Sequence, residues 1–268
     1  MALPGAAGFT GPYLAPGNSF FDFALAAAPE ALPAHQAYHS THPGTHPGTL
    51  PDAAPQATTI VALTFRDGLV MAGDRRATMG LAIASREMEK VYPADRMSAI
   101  GVAGSAGLAL QLVRLFQLEL SHYEKIEGAP LSLEGKANRL ATLLRANLGL
   151  ALKGLAAVPL LGGYDNSTAR IFSYDVTGGH YEEHDFHAIG SGAVFAKGSL
   201  KKLWRANLPQ RTAVKVAITA LTDAADDDAG TGGVDAARAI WPVVAVVTQD
   251  GYQRIDEAKL AGLMEAKR

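Results

Sequence analysis

A threonine that opens a buried strand is chemically ordinary unless the chain is cut just before it. Thr58 begins the run Thr58-Thr59-Ile60-Val61-Ala62-Leu63-Thr64-Phe65. Cleavage between Ala57 and Thr58 would bring a free α-amine within reach of the threonine's own hydroxyl, giving a nucleophile and its base in one residue. Such an amine has an ordinary pKa of about 7.7 to 8, so roughly a tenth or more of it is unprotonated at neutral pH, which suits a general base. Asp74 and Lys90 could support it. A lysine beside the hydroxyl oxygen favours the developing alkoxide, and an aspartate beside that lysine keeps it charged and aimed. The plainer reading of the same pair is a salt bridge at a sheet end. Gly104 sits where a strand gives way to a helix, so its N–H could donate to an oxyanion, or the glycine could serve the turn alone. The motif Gly190-Ser191-Gly192 and the run Asp226-Asp227-Asp228-Ala229-Gly230-Thr231-Gly232-Gly233 also carry polar groups. Taken plainly, that acidic triplet is a solvated helix end or a cation site.

Four motifs together resemble a proteasome β subunit of the actinobacterial type: Thr58-Thr59-Ile60-Val61-Ala62, Met71-Ala72-Gly73-Asp74-Arg75-Arg76, Val102-Ala103-Gly104 and Gly190-Ser191-Gly192. Each is weak alone, and their order gives them weight. The resemblance runs from about Thr58 to the end of the chain. It implies an N-terminal-nucleophile hydrolase, a threonine peptidase in which Thr58, Asp74 and Lys90 are catalytic. Ser191, Asp228 and Thr231 are implied to lie against the nucleophile's amine, with Arg76 in a supporting role and Gly104 as the oxyanion donor. Thr78 and Ala106 are implied to make backbone contacts with an extended substrate, as strand addition does. Ala77, Ala84, Met88 and Val102 are implied to line an apolar first specificity pocket. The reaction needs no metal or organic cofactor. The implied partners are a homo-oligomeric β ring, outer rings of α subunits, a regulatory ring ATPase and unfolded or tagged protein substrates.

Two positions depart from the family pattern. Thr231 stands where relatives often have serine, which keeps the hydroxyl and adds a methyl. More consequentially, Ala57 stands where the pattern has glycine before the nucleophile. Self-cleavage requires the Thr58 hydroxyl to attack the carbonyl of residue 57 in a tight turn, and a Cβ there hinders it. Cleavage at Ala57-Thr58 is the expectation. The alternatives are a non-catalytic or unprocessed precursor ring subunit and the simpler two-ring, ATP-dependent threonine protease, against which the long leader and Asp74-Arg75-Arg76 argue.

Composition narrows the field further. The chain has 268 residues, 48% of them hydrophobic and 19% charged, the composition of a globular protein. It has no cysteine, which excludes a disulfide framework and thiolate metal sites. A net charge of −2 gives no electrostatic reason to expect nucleic acid. No apolar run approaches the roughly 20 residues of a membrane span, and no secretory signal pattern opens the chain, so the expected location is cytoplasmic. Residues 1–57 hold most of the prolines, no lysine or arginine, and four of the eight histidines. They read as a largely flexible propeptide preceding a catalytic domain at 58–268. A short helix near 19–28 is expected, capped by Asn18-Ser19, carrying Phe20, Phe21 and Phe23, and ended by Pro29. His35, His39, His42 and His46 read as solvated tail instead of a metal site, for want of a fixed framework.

The elements that must position these residues follow from periodicity. Thr59 to Phe65 and Leu69 to Gly73 form a hairpin about Asp67-Gly68, whose glycine tolerates positive φ. Leu81 to Tyr92 reads as another extended pair, and Ser98 to Ala103 as a strand. A helix follows from about Ser105 to Tyr123, with Leu108, Leu112, Leu115, Phe116 and Leu120 on one face. A second begins at Ser132, with Leu133, Leu140, Leu143, Leu144, Leu148 and Leu152 at helical spacing. Strands are expected at Pro159 to Tyr164, Arg170 to Tyr174 and Tyr181 to Ile189. Helices come next at Gly192 to Trp204 and Arg211 to Asp226, then a buried strand at Val243 to Thr248 and a terminal helix at Ala258 to Lys267. This order fits an α+β fold, two antiparallel sheets face to face with helices outside. The resemblance makes it the four-layer α/β/β/α sandwich of the N-terminal-nucleophile hydrolases.

Overall fold

In the computed structural model, the described residues are 58–79, 82–151 and 155–265. The leader and its expected helix lie outside them. Strand β1 (Thr59–Phe65) pairs antiparallel with β2 (Gly68–Gly73), the hairpin expected from the alternating apolar runs. Gly68 is needed for a different reason than the sequence suggests. It is absent from the positive-φ glycines, and instead a Cβ there would lie 2.1 Å from the Val247 carbonyl oxygen of the neighbouring strand. A short ribbon, β3 (Ala77–Met79) with β4 (Ala82–Ser85), comes next, followed by β5 (Val91–Asp95) and β6 (Ser98–Gly104). The extended pair expected over Leu81 to Tyr92 is therefore corrected. Its first half pairs backward with β3, and residues 86–90 form no strand.

Helices α1 (Ala106–Glu127) and α2 (Leu133–Ala146) follow. Ser132 caps α2 by accepting the Gly135 N–H at 3.1 Å. The second helix is shorter than its leucine spacing predicts, because Asn147 ends it and Leu148–Ala151 forms a separate turn, α3, with no buried residue. Strands β7 (Ala157–Asp165), β8 (Thr168–Tyr174), β9 (His180–Glu183) and β10 (Phe186–Gly190) come next. The single strand expected from Tyr181 to Ile189 is in fact two, divided at Asp185, which has φ +69°. The rest comprises α4 (Ala193–Leu203), α5 (Gln210–Asp227), β11 (Val243–Thr248), β12 (Gly251–Arg254) and α6 (Glu257–Glu265).

One sheet has the order β10-β1-β2-β11-β12 and the other β5-β6-β7-β8-β9, with every pairing antiparallel. The strand period of two sorts their side chains. Val61, Leu63, Val70, Ala72, Val244 and Val246 pack against Val214, Ala217 and Leu221 of α5. Ile60, Ala62, Leu69, Met71 and Ala245 face the other way and meet Ala99, Leu160 and Ile171 of the second sheet. That sheet in turn sends Ile100, Leu161 and Phe172 against Val113, Phe116, Leu140 and Leu144 of α1 and α2. The layers are thus helix, sheet, sheet, helix, an α+β sandwich. Because β1 and β2 are covered on both faces, their residues are buried almost without interruption, as expected of strands in the middle of such a stack. Among the described residues no helix is long and apolar enough to cross a membrane.

Candidate functional site

At the end of the first sheet, β1 begins between β10 and β2, with Thr59 opposite Gly190 and Ile60 opposite Gly73. Polar residues at the neighbouring strand ends therefore converge on Thr58 and Thr59. Asp74, just past β2, is wholly buried, and its four lone-pair positions are all used. Oδ1 accepts the Lys90 ammonium at 2.7 Å and the Thr59 N–H at 2.8 Å. Oδ2 accepts the N–H groups of Arg76 and Gly232, each at 2.9 Å. Lys90 is only 2% exposed and also donates to the Arg76 carbonyl. Burial pushes its pKa down, the attraction and hydrogen bond of Asp74 oppose that shift, and the nearby Arg76 charge reinforces it. The outcome is a lysine that gives up its proton more readily than an exposed one.

A second cluster stands on the other side of β1. The Asp228 Oδ2 atom accepts the hydroxyls of Ser191 and Thr231, both at 2.6 Å, and Oδ1 accepts the Gly230 N–H at 3.1 Å. Burial works to raise the Asp228 pKa, but these hydrogen bonds and Arg76 outweigh it and hold the carboxyl below its ordinary value. Ser191 also reaches Thr58, whose carbonyl oxygen accepts the Ser191 N–H at 2.9 Å.

Thr59 joins the two clusters. Its hydroxyl oxygen accepts the Gly192 N–H at 2.9 Å and lies 2.6 Å from the Thr231 hydroxyl. Since Thr231 spends its proton on the Asp228 carboxylate, Thr59 is the donor in that pair. A directed chain results, from the Gly192 amide through Thr59 and Thr231 to Asp228. Thr231 is fully buried, so the methyl it carries in place of a serine hydrogen is accommodated inside the fold.

Such an arrangement can fix the start of β1 to within hydrogen-bond tolerances, keep a buried cation beside it, and present a carboxylate-bound hydroxyl pair next to the Thr58 backbone. A buried cation and a carboxylate-bound hydroxyl pair are groups that can support a nearby nucleophile and stabilise charge that develops on it. The family profile described as "Proteasome subunit" matches residues 54–238. The chain belongs to the proteasome family. Its similarity lies on the β side: the proteasome subunit beta of Jonesia denitrificans is 55% identical over 263 residues, covering 97% of this chain and 85% of the relative.

The remaining residues singled out by the proteasome resemblance lie on β3, β4, β6, α1 and the segments between β2 and β3 and between β4 and β5. Gly104 has φ +109°, and a Cβ there would lie 2.2 Å from the Ala156 carbonyl oxygen, so the backbone geometry alone requires glycine. Ala106 is the first residue of α1. Ala77, Thr78 and Ala84 share the β3–β4 ribbon, where Ala77 is buried and Ala84 exposed. Met88 donates its N–H to the Arg75 carbonyl and Val102 to the Lys90 carbonyl, so the segment carrying Lys90 is held between Arg75 and β6. Val102 itself packs into the core beneath α1 and α2. Arg76 supports through its backbone, donating to Asp74, and through Nη1, which reaches the Ala229 carbonyl at 2.9 Å. Sequence reasoning missed three contributors: Thr59, Gly192 and Gly232. For Thr59 the available signal was a hydroxyl residue opening a strand whose other members, Thr64 apart, are apolar. The two glycines act through backbone N–H groups and leave no side-chain trace.

Proposed function

We propose that this proteasome β subunit is a threonine peptidase whose nucleophile is Thr58, exposed by self-cleavage of the Ala57-Thr58 bond. What supports the reading is the fully buried Asp74–Lys90 pair, hydrogen-bonded to the residue immediately after Thr58. In the uncut chain the Thr58 nitrogen is an amide and cannot act as a base. Cleavage divides residues 1–57 from the catalytic domain at 58–268 and turns that nitrogen into an amine. The amine takes the hydroxyl proton as Oγ attacks a peptide carbonyl, and the ammonium of Lys90 favours the developing charge. Collapse of the tetrahedral adduct leaves an ester on Thr58 and passes the amine's proton to the departing peptide nitrogen. The same amine then activates water to hydrolyse the ester. Ser191, Asp228 and Thr231 orient the amine, and the Gly104 N–H receives the oxyanion. Thr78 and Ala106 hold the substrate main chain, while Ala77, Ala84, Met88 and Val102 form an apolar first pocket. The subunit works in a β ring between α rings in the cytoplasm, on unfolded or tagged proteins delivered by a ring ATPase.

The test is peptidase activity of particles co-assembled with the α partner, using a fluorogenic peptide with a hydrophobic residue at the scissile bond. Thr58→Ala should lower kcat by at least about a thousandfold, as loss of a catalytic nucleophile does elsewhere, with assembly intact. Assembled Thr58→Ala particles with wild-type turnover would eliminate Thr58 as the nucleophile.

A further inference from the structure

On the far side of Asp74, three arginines meet. Arg75, Arg76 and Arg86 line a small cleft of about 40 Å³ together with Gly232, Gly233 and Asp235. Asp235, the carboxylate among them, is already engaged: it accepts the Arg238 guanidinium at 2.6 Å and the Arg238 N–H at 3.1 Å. Arg75 commits its two terminal nitrogens to Glu257 at 2.7 Å and to the Glu87 carbonyl at 3.2 Å. Its Nε–H is buried and has no hydrogen-bond partner among the described residues. Arg86 is exposed and forms no ion pair among the described residues. The cleft therefore carries an excess of guanidinium charge, with Arg86 the one of its three arginines that is exposed and uncommitted to a carboxylate or carbonyl among the described residues.

We propose that this cleft binds a small oxyanion of the phosphate class. Guanidinium groups match the oxygens of such an ion in charge and in geometry, and more than one of them can share it. A space of this size suits a small ion of phosphate dimensions. A carboxylate offers similar oxygens with a single charge and binds more weakly. The assignment does not depend on Thr58 chemistry. The cleft does adjoin the Asp74 network, because Arg76 and Gly232, which line it, are the two residues whose N–H groups hold Asp74 Oδ2. An ion bridging those segments ties together the two loops that fix Asp74.

The experiment is a titration of the full-length chain with inorganic phosphate at constant ionic strength, followed by ³¹P line broadening and calorimetry, with acetate as the comparison ion. Saturable phosphate binding is expected. Arg86→Gln, a change at an exposed side chain, should weaken it about tenfold, the scale of one charge-assisted hydrogen bond. Glu257→Gln releases Arg75 from its carboxylate and should tighten it, an opposite shift that damage to the fold would not produce. Absence of saturable binding, phosphate affinity unchanged in Arg86→Gln, or acetate binding as tightly as phosphate would each overturn the assignment.

Discussion

Asp74 accepts four hydrogen bonds in a site closed to water, so neither its position nor its charge can change without disturbing several partners. Asp74→Asn keeps the shape but removes the charge that balances Lys90, leaving a buried ammonium uncompensated. A loss of about 3 to 5 kcal/mol of stability is expected for breaking a buried pair, measurable by denaturant unfolding, together with loss of peptidase activity. Asp228 should behave differently, being partly exposed. Its folded pKa is depressed, so its contribution is fully present above the ordinary carboxylate value of about 3.9 and is lost as pH falls through the lower folded value. The Tm difference between wild type and Asp228→Asn should therefore stay constant from neutral pH to about pH 4 and shrink below it. A difference that shrinks already between pH 7 and 5 would contradict this assignment. At this scale Thr58, Asp74 and Lys90 stood out by residue type and the Asp74–Lys90 pair is present, whereas Ser191 and Asp228 entered only through the proteasome resemblance. The backbone donors of Gly192 and Gly232 were not legible, because what makes them useful is direction, which only the folded chain defines.

The elements show the same division between what pattern reveals and what packing decides. Helical spacing located α1, yet the face it buries is carried by Ala109, Leu112, Val113, Phe116 and Leu120, with Leu115 left 42% exposed. Leucines alone pull the predicted face to one side, because the small Ala109 and the branched Val113 also belong to it. Phe116→Ala should cost about 3 to 5 kcal/mol, the range for emptying a core aromatic site. Leu115→Ala should stay within about 0.5 kcal/mol, as surface changes do. Urea melts of the two variants distinguish the faces, and equal losses would refute the packing described. The β9–β10 break was hidden for a related reason. Extended residues continue on both sides of Asp185, but there the backbone adopts a left-handed conformation and the chain passes from the edge of one sheet to the edge of the other. No local propensity announces a change of sheet. The hairpin, the two helical pairs and the buried strand at Val243–Thr248 were legible because their periodicity and burial agree.

For the whole molecule, the order of strands and helices allowed four layers and the proteasome resemblance implied them, while the surfaces those layers present were not readable. Val194 at the start of α4 is 78% exposed, and Leu118 and Ile126 on α1 are each 66% exposed. Large apolar side chains left in water on two outer helices suit a subunit that is covered on assembly. Val194→Glu is expected to leave the subunit folded by circular dichroism and to reduce the full-size particle, observed by native mass spectrometry. Undiminished assembly would show that α4 does not form a contact. Processing also belongs to this scale: in the self-cleavage proposed above, alanine instead of glycine at residue 57 places a Cβ in the required tight turn. Ala57→Gly should speed maturation of assembled particles, followed as loss of the precursor band.

The most direct measurement is an intact mass and N-terminal read of the chain from particles co-assembled with the α partner, after challenge with a threonine-directed electrophile. The account predicts a mature chain beginning at Thr58 and carrying a single adduct on that residue. A chain in assembled particles that retains residues 1–57 and carries no adduct would contradict it.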